Sequence, residues 1–271
     1  MRTISLTILL IFSCLVVGCT QDPVIKENPG VENNPVADDK LTIEYSVGQA
    51  YWTTRTLVTS EDTAEGKIGL YKYDRYYTVI DAIDSEGTPV AGRRMYRESF
   101  FELTGKRNLK GEGDYQNKTV IFKPDTVPTV EGNPVDDQAT TGLRLTGFEY
   151  IFMPEKVTND SRFHRVTLDE SKERVLKAFL TEMRIVPDVS LISARIAENT
   201  DELVKIQFTW HVSGIILDKN GVGVRMKFDG QIIYSKKHKG ITYFELVKQP
   251  EKDDSATLKL IINRDFEREF E

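Results

Sequence analysis

Between residues 204 and 228 the alternation is so regular that few folds can accommodate it. Val204, Ile206, Phe208, Trp210 and Val212 are separated by Lys205, Gln207, Thr209 and His211, and after Asp218-Lys219-Asn220-Gly221 the alternation returns in Val222, Val224, Met226 and Phe228. Period two is the spacing of side chains on one face of a pleated strand, and Asn-Gly tolerates the positive φ angles of a tight hairpin turn. The stretch therefore predicts a hairpin with one apolar and one wet face. Phe208, Trp210, Met226 and Phe228 share the apolar face, which must be covered either by the rest of the chain or by a bound apolar molecule. Met and Trp suit adaptable binding surfaces, so these four are the candidate ligand-binding residues, lining a hollow for an acyl chain or a similar molecule.

Strand-like patterns fill most of the remaining chain. Leu41, Ile43, Tyr45 and Val47 alternate with polar residues, and Tyr51 to Val58, Ile68 to Ile83, Val90 to Leu103, Thr119 to Phe122 and Leu143 to Met153 read as strands. Ser85-Glu86-Gly87-Thr88-Pro89 is a turn, and Ile232 to Tyr234, Ile241 to Val247 and Thr257 to Ile262 continue the meander. One helix is expected at about 168–184, with Leu168, Val175, Leu176, Phe179 and Met183 at helical spacing, Thr167 and Glu170 as a capping box, and Val186-Pro187 as its stop. The fold predicted is mainly β, an antiparallel meander forming a curved sheet, a half-barrel or two β halves, with one packed helix. Pro124 to Thr140 holds three prolines, four acidic residues and no aromatic residue, which makes it a functional loop or a joint. The body then divides into a first β half (41–123), this joint (124–140), a second half with the helix (141–264) and a charged tail (265–271) expected to fray.

The amino terminus bears on destination. Arg2 precedes an apolar run from Ile4 to Val17, too short for a bilayer-spanning helix, which needs about 20 residues, but suited to a secretory signal. Leu15-Val16-Val17-Gly18-Cys19 resembles the bacterial lipoprotein signal peptides, in which a small residue precedes a cysteine. The resemblance implies cleavage after Gly18, removing a signal peptide of residues 1–18, and lipidation of Cys19 by diacylglycerol, with a further acyl chain such as palmitate on the new amino group. Two or more chains give stable anchoring without a spanning segment. Thr20, rather than Asp, after the cysteine resembles an outer-membrane sorting pattern, so the expected location is the cell envelope, lipid-anchored in the outer membrane rather than the inner, on either its periplasmic or its surface face. Residues 19–40 carry prolines at six-residue spacing and no aromatic residue, the composition of a disordered tether with a span of about 25 Å. The long strands and single helix are also similar to bacterial lipoproteins in which a curved sheet and a helix enclose an apolar hollow.

Composition removes several kinds of chemistry. Without residues 1–18 the chain has 35 basic and 42 acidic side chains, which does not suit a nucleic-acid binder. Its two cysteines are Cys14, lost with the signal, and Cys19, so the mature body has no thiol. The three histidines, His164, His211 and His238, lack the spacing of a metal site. No nucleophile-elbow, phosphate-loop or dinucleotide motif occurs, and the acidic stretches Gly111 to Asp114 and Asp136-Asp137 fall short of a calcium loop. No catalytic residue, cofactor or metal ligand is assigned. The tyrosines Tyr71, Tyr73, Tyr76 and Tyr77 could stack on sugars or serve sheet packing, and Lys236 to Lys239 reads as a turn kept in water. Three functions remain: a non-catalytic envelope lipoprotein binding an apolar small molecule or an envelope protein through its curved sheet, a structural or adhesion protein with a filled core, and an envelope hydrolase with a carboxylate pair.

Overall fold

The computed structural model describes residues 41–63, 66–105, 108–124, 126–135, 145, 147–155, 162–182, 185–216, 222–250 and 256–270. The first half supplies β1 (Ala50–Thr63), β2 (Gly66–Ile83), β3 (Pro89–Thr104), β4 (Leu109–Glu112), β5 (Thr119–Phe122), β6 (Thr129–Val130) and β7 (Asn133–Pro134). A 3-10 turn, Glu149–Phe152, leads to β8 (His164–Arg165) and the helix α1 (Glu170–Glu182). The second half supplies β9 (Ile185–Asn199), β10 (Leu203–Ile216), β11 (Val222–Ser235), β12 (Gly240–Lys248) and β13 (Thr257–Asp265).

All thirteen strands lie in one antiparallel sheet, ordered β7-β6-β5-β3-β2-β1-β13-β12-β11-β10-β9-β8 with β4 added on β3, and it is not closed. The two halves are joined edge to edge, because β1 pairs β13 from Trp52 opposite Asp265 to Ser60 opposite Thr257. The β6–β7 hairpin, inside the expected joint, extends the sheet on the free side of β5. The turn after β2 is held by Asp84, whose Oδ1 accepts from the Glu86 and Thr88 amides at 2.9 and 2.8 Å, while Gly87 takes φ +81°. The Asp218 to Gly221 turn lies outside the described residues, but β10 and β11 pair in the register the alternation requires, with Trp210 opposite Phe228. Phe208 lies opposite Gly230, where a Cβ would overlap its ring.

Four local expectations need correction. Residues 41–49 form no strand: the alternation of Leu41 and Ile43 records a segment lying on the core, tied down by Glu44 N–H to the Lys239 carbonyl at 3.0 Å and Gly48 N–H to the Ile80 carbonyl at 2.8 Å. Period two reports a covered face, not a hydrogen-bonded ladder. Residues 149–152 form a helical turn instead of a strand, burying Glu149, Ile151 and Phe152. Helix α1 begins at Glu170, and its first-turn amide is capped by Asp169, whose Oδ1 accepts from Lys172 N–H at 2.8 Å, rather than by Thr167. The tail does not fray through Phe270, because its two phenylalanines hold it: Phe266 packs on Tyr51 at 5.0 Å and Phe270 stacks on Trp52 at 5.9 Å, with Trp52 Nε1 donating to the Glu269 carbonyl.

The sheet has two faces of different character. On the outer face Trp52, Arg75, Tyr77 and Phe270 stack, with the Arg75 guanidinium 4.6 Å from the Trp52 ring. On the inner face Leu258, Leu260, Phe244, Leu246, Ile232, Ile206 and Ile192 form the main core, closed by Val175, Leu176 and Leu180 of α1 and by the 149–152 turn. Each such side chain removed from water contributes about 1.5–3 kcal/mol.

Candidate functional site

The inner face of the second half is full. Phe208, Trp210, Met226 and Phe228 are no more than 2% exposed. Phe152 stacks on Phe208 at 4.3 Å and meets Trp210 edge-on at 5.6 Å, Trp210 stacks on Phe228 at 4.9 Å, and Phe179 of α1 lies 5.9 Å from Trp210. The indole Nε1 donates to Ser190 Oγ at 2.9 Å. The cover over these four candidate residues is thus the chain itself, and they do not line the clefts described below.

The inner face of the first half mixes a small apolar cluster, Tyr76, Tyr96, Val120, Phe122 and Leu145, with buried polar groups. Among the described residues the buried polar side chains are Thr53, Asp74, Thr78, Arg94, Ser99, Glu149 and Lys248, and all but Lys248 belong to β1, β2 and β3 or to the turn packed against their junction with β13. Ser99 Oγ donates to Asp74 Oδ1 at 2.7 Å across β2 and β3. The Arg94 guanidinium lies 4.5 Å from the Tyr76 ring and 5.4 Å from Phe122. Arg264 of β13 pairs with Glu149, which is 1% exposed, and lies over the Tyr51 ring at 5.9 Å. Burial alone would depress both guanidinium groups, but the Glu149 carboxylate beside Arg264 and the tyrosines around Arg94 reverse the shift and hold both cations above their ordinary range. Gly147 is needed for the Glu149 approach, since a Cβ there would overlap Glu149 Oε2. That oxygen, Thr53 Oγ1 and Thr78 Oγ1 have no hydrogen-bond partner among the described residues. Buried polar atoms of this kind are ordinarily satisfied, so two on adjacent strands and one on the 149–152 turn mark the region as unusual.

A small cavity adjoins the Glu149–Arg264 pair, and a larger cleft lies beyond it. The smaller, about 10 Å³, is lined by Tyr45, Tyr51, Glu149 and Arg264, the size of a single water site. The larger is a cleft of about 620 Å³ between the 41–45 segment, the β2–β3 turn, the 149–155 stretch and the first turns of α1. Ile43, Tyr45 and Tyr150 line both and form the wall between them. Charged groups of both signs line the cleft: Glu86, Glu155 and Asp169 against Lys172 and Arg174. Lys172 Nζ donates to the Met153 carbonyl at 3.1 Å, and partial burial lowers its pKa despite the nearby Asp169 and Glu155 carboxylates.

The remaining sequence candidates are scattered. His164 lies on β8 and His211 on β10, both exposed, while His238 stacks on Phe266 at 5.3 Å with Nε2 3.4 Å from Glu267. Among the described residues no three His, Cys, Asp or Glu side chains are grouped to hold a metal ion. The lysine run forms the β11–β12 turn, with Lys237 paired to Glu267 and Lys239 to Glu44. Tyr71 and Tyr73 flank Phe100 at 5.9 and 5.2 Å, whereas Tyr76 is buried among the Arg94 group. Sequence reading missed Glu149, Arg264 and the cleft, whose parts come from widely separated segments; the single carboxylate in the apolar run 148–153 was the available signal for Glu149.

The phenols in this region have a measurable consequence. Burial raises the pKa of Tyr51 and of Tyr96, outweighing the pull of Arg264 and Arg94. A raised folded-state pKa means that the native state holds the proton more tightly, so the stabilisation is intact below the ordinary tyrosine value of about 10 and is lost as pH rises above it. In a spectrophotometric titration the folded protein should ionise fewer than its eleven tyrosines, with the last appearing only as circular dichroism reports unfolding. Full ionisation with the fold intact would contradict this burial. No protein-family model matches the chain, and no curated protein matches it.

Proposed function

We propose that the chain is a non-catalytic lipoprotein of the cell envelope, anchored through Cys19, that binds a small molecule on its folded body. The observation that carries the binding reading is the cleft of about 620 Å³, a volume in the range of about 300–1,000 Å³ usual for small-molecule sites. The full interior around Trp210 speaks against an acyl chain entering the sheet and supports the cleft, rather than the expected hollow, as the site on this reading. The filled core also supports the structural or adhesion reading, in which the cleft stays empty. A hydrolase would need two carboxylates placed across a substrate; Glu86 and Glu155 are available in the cleft, and Asp169 is engaged by the helix amide.

No described helix is long and apolar enough to cross a membrane, so the proposed anchor rests on Cys19. Changing Cys19→Ala should leave the protein unprocessed or freely soluble, and membrane retention of the variant after a high-salt wash would refute the anchor. Native mass spectrometry of the full chain taken from its envelope tests the binding reading. A bound small molecule, lost on narrowing the cleft with Thr88→Trp, is expected; unliganded protein throughout would leave the structural reading.

A further inference from the structure

We infer that the cleft between residues 41–45, the β2–β3 turn and α1 takes a short neutral saccharide, with Tyr45 and Tyr150 meeting the ring and Glu86, Glu155, Lys172 and Arg174 meeting its hydroxyls. The inference rests on the cleft being a ligand site at all, and it names the class of ligand. The lining itself argues for this class. Three carboxylates, Glu86, Glu155 and Asp169, oppose two cations, Lys172 and Arg174, so neither a strongly anionic nor a strongly cationic molecule finds a matching field. A purely apolar chain is equally ill-suited, because it would strip water from these charged groups and offer no hydrogen bonds in return.

A pyranose answers both requirements. Its hydroxyls donate to carboxylates and accept from cations, while its C–H face packs against aromatic rings. The cleft offers each kind of group. Lys172 directs one of its three N–H donors to the Met153 carbonyl, which fixes the amine at the wall of the cleft and leaves two donors for a ligand. Partial desolvation of that amine makes a partner more favourable than bulk water would. Glu155 is exposed ahead of α1, near Lys172, and Tyr150 is half-buried in the short helical turn that also presents Glu149. Aromatic rings, acceptors and donors thus converge on one volume of about 620 Å³, enough for a few sugar rings.

The test is isothermal titration calorimetry of the full lipidated chain in phosphatidylcholine nanodiscs, which avoids sugar-based detergents. Maltotetraose, cellotetraose and chitotetraose are the neutral probes, with decanoate and polyphosphate as the apolar and anionic ones. At least one tetrasaccharide should bind saturably, and Glu155→Gln and Lys172→Met should each weaken it about tenfold without lowering the melting temperature. The inference is overturned if no tetrasaccharide binds, if both variants bind as the parent does, or if decanoate or polyphosphate displaces the bound sugar. Should the envelope-derived protein carry some other molecule that the Thr88→Trp variant loses, the cleft remains a ligand site and only the saccharide assignment fails. Release of shorter sugars during the titration would overturn binding without catalysis and leave the saccharide class standing.

Discussion

Replacing Glu149 with alanine should lower the stability of the protein by about 3–5 kcal/mol, the cost of leaving a buried charge without its partner. Arg264 stays behind with a side chain only 13% exposed, over the Tyr51 ring at 5.9 Å, with the Ile241 carbonyl at 3.4 Å as its remaining acceptor among the described residues, and unable to shed its proton. Water entering the space left by the carboxylate, beside the adjoining cavity of about 10 Å³, would solvate the cation only in part. The pair itself need not be a large net stabiliser. Taking both charges out of water costs nearly what their attraction returns, so the double change Glu149→Leu with Arg264→Met should fall well short of the single change. Urea unfolding followed by circular dichroism measures both variants. A loss below about 1 kcal/mol for Glu149→Ala would mean that the site is open to solvent and that the burial described above is wrong.

Phe152→Ala should cost a similar amount, about 3–5 kcal/mol, by a different route. The ring is fully buried and bridges strands distant in the chain, lying 4.3 Å from Phe208, 5.6 Å from Trp210 and 5.7 Å from Phe244. These neighbours sit on a hydrogen-bonded sheet that cannot collapse inward, so a void remains and its lining loses dispersion contacts. Such a void is apolar and stays dry, and it should accept benzene. Saturable quenching or shift of Trp210 emission by benzene is therefore expected in Phe152→Ala and absent in the parent. An unchanged denaturation midpoint in the variant, or benzene binding in the parent, would show that the interior around Trp210 is not full.

Much of the architecture could be read from the chain alone, for reasons that are local. Strict alternation from Val204 to Phe228 specifies strands and faces, because a one-residue slip would expose every apolar side chain at once. The helix was legible from the spacing of Val175, Leu176 and Phe179, though its cap moved from Thr167 to Asp169, since several residues near a helix start can accept from a free amide. β9 went unread: only Ile185, Ile192 and Ala194 along it are buried, and the register shift near Gly214, together with Pro187, breaks the alternation. The tail was misread because its charges outnumber its rings, yet Phe266 and Phe270 decide where it lies.

What the sequence determined by itself was the mainly β class, most of the long strands, one helix, the apolar face carrying Trp210, the absence of thiols after Cys19 and the expectation of export and anchoring. Only the tertiary structure decided what covers that face and where the polar groups converge. Phe152 and Phe179 could have left the sheet open; their rings instead close on Phe208 and Trp210. Glu149 and Arg264 stand 115 residues apart, and no spacing rule links them until β13 pairs with β1. The cleft likewise depends on bringing residues 43–45, 86–88, 150–155 and 169–175 together. Periodicity reports which side of an element is covered, whereas the identity of the cover, and any hollow it leaves, arises from contacts between segments that are distant along the chain.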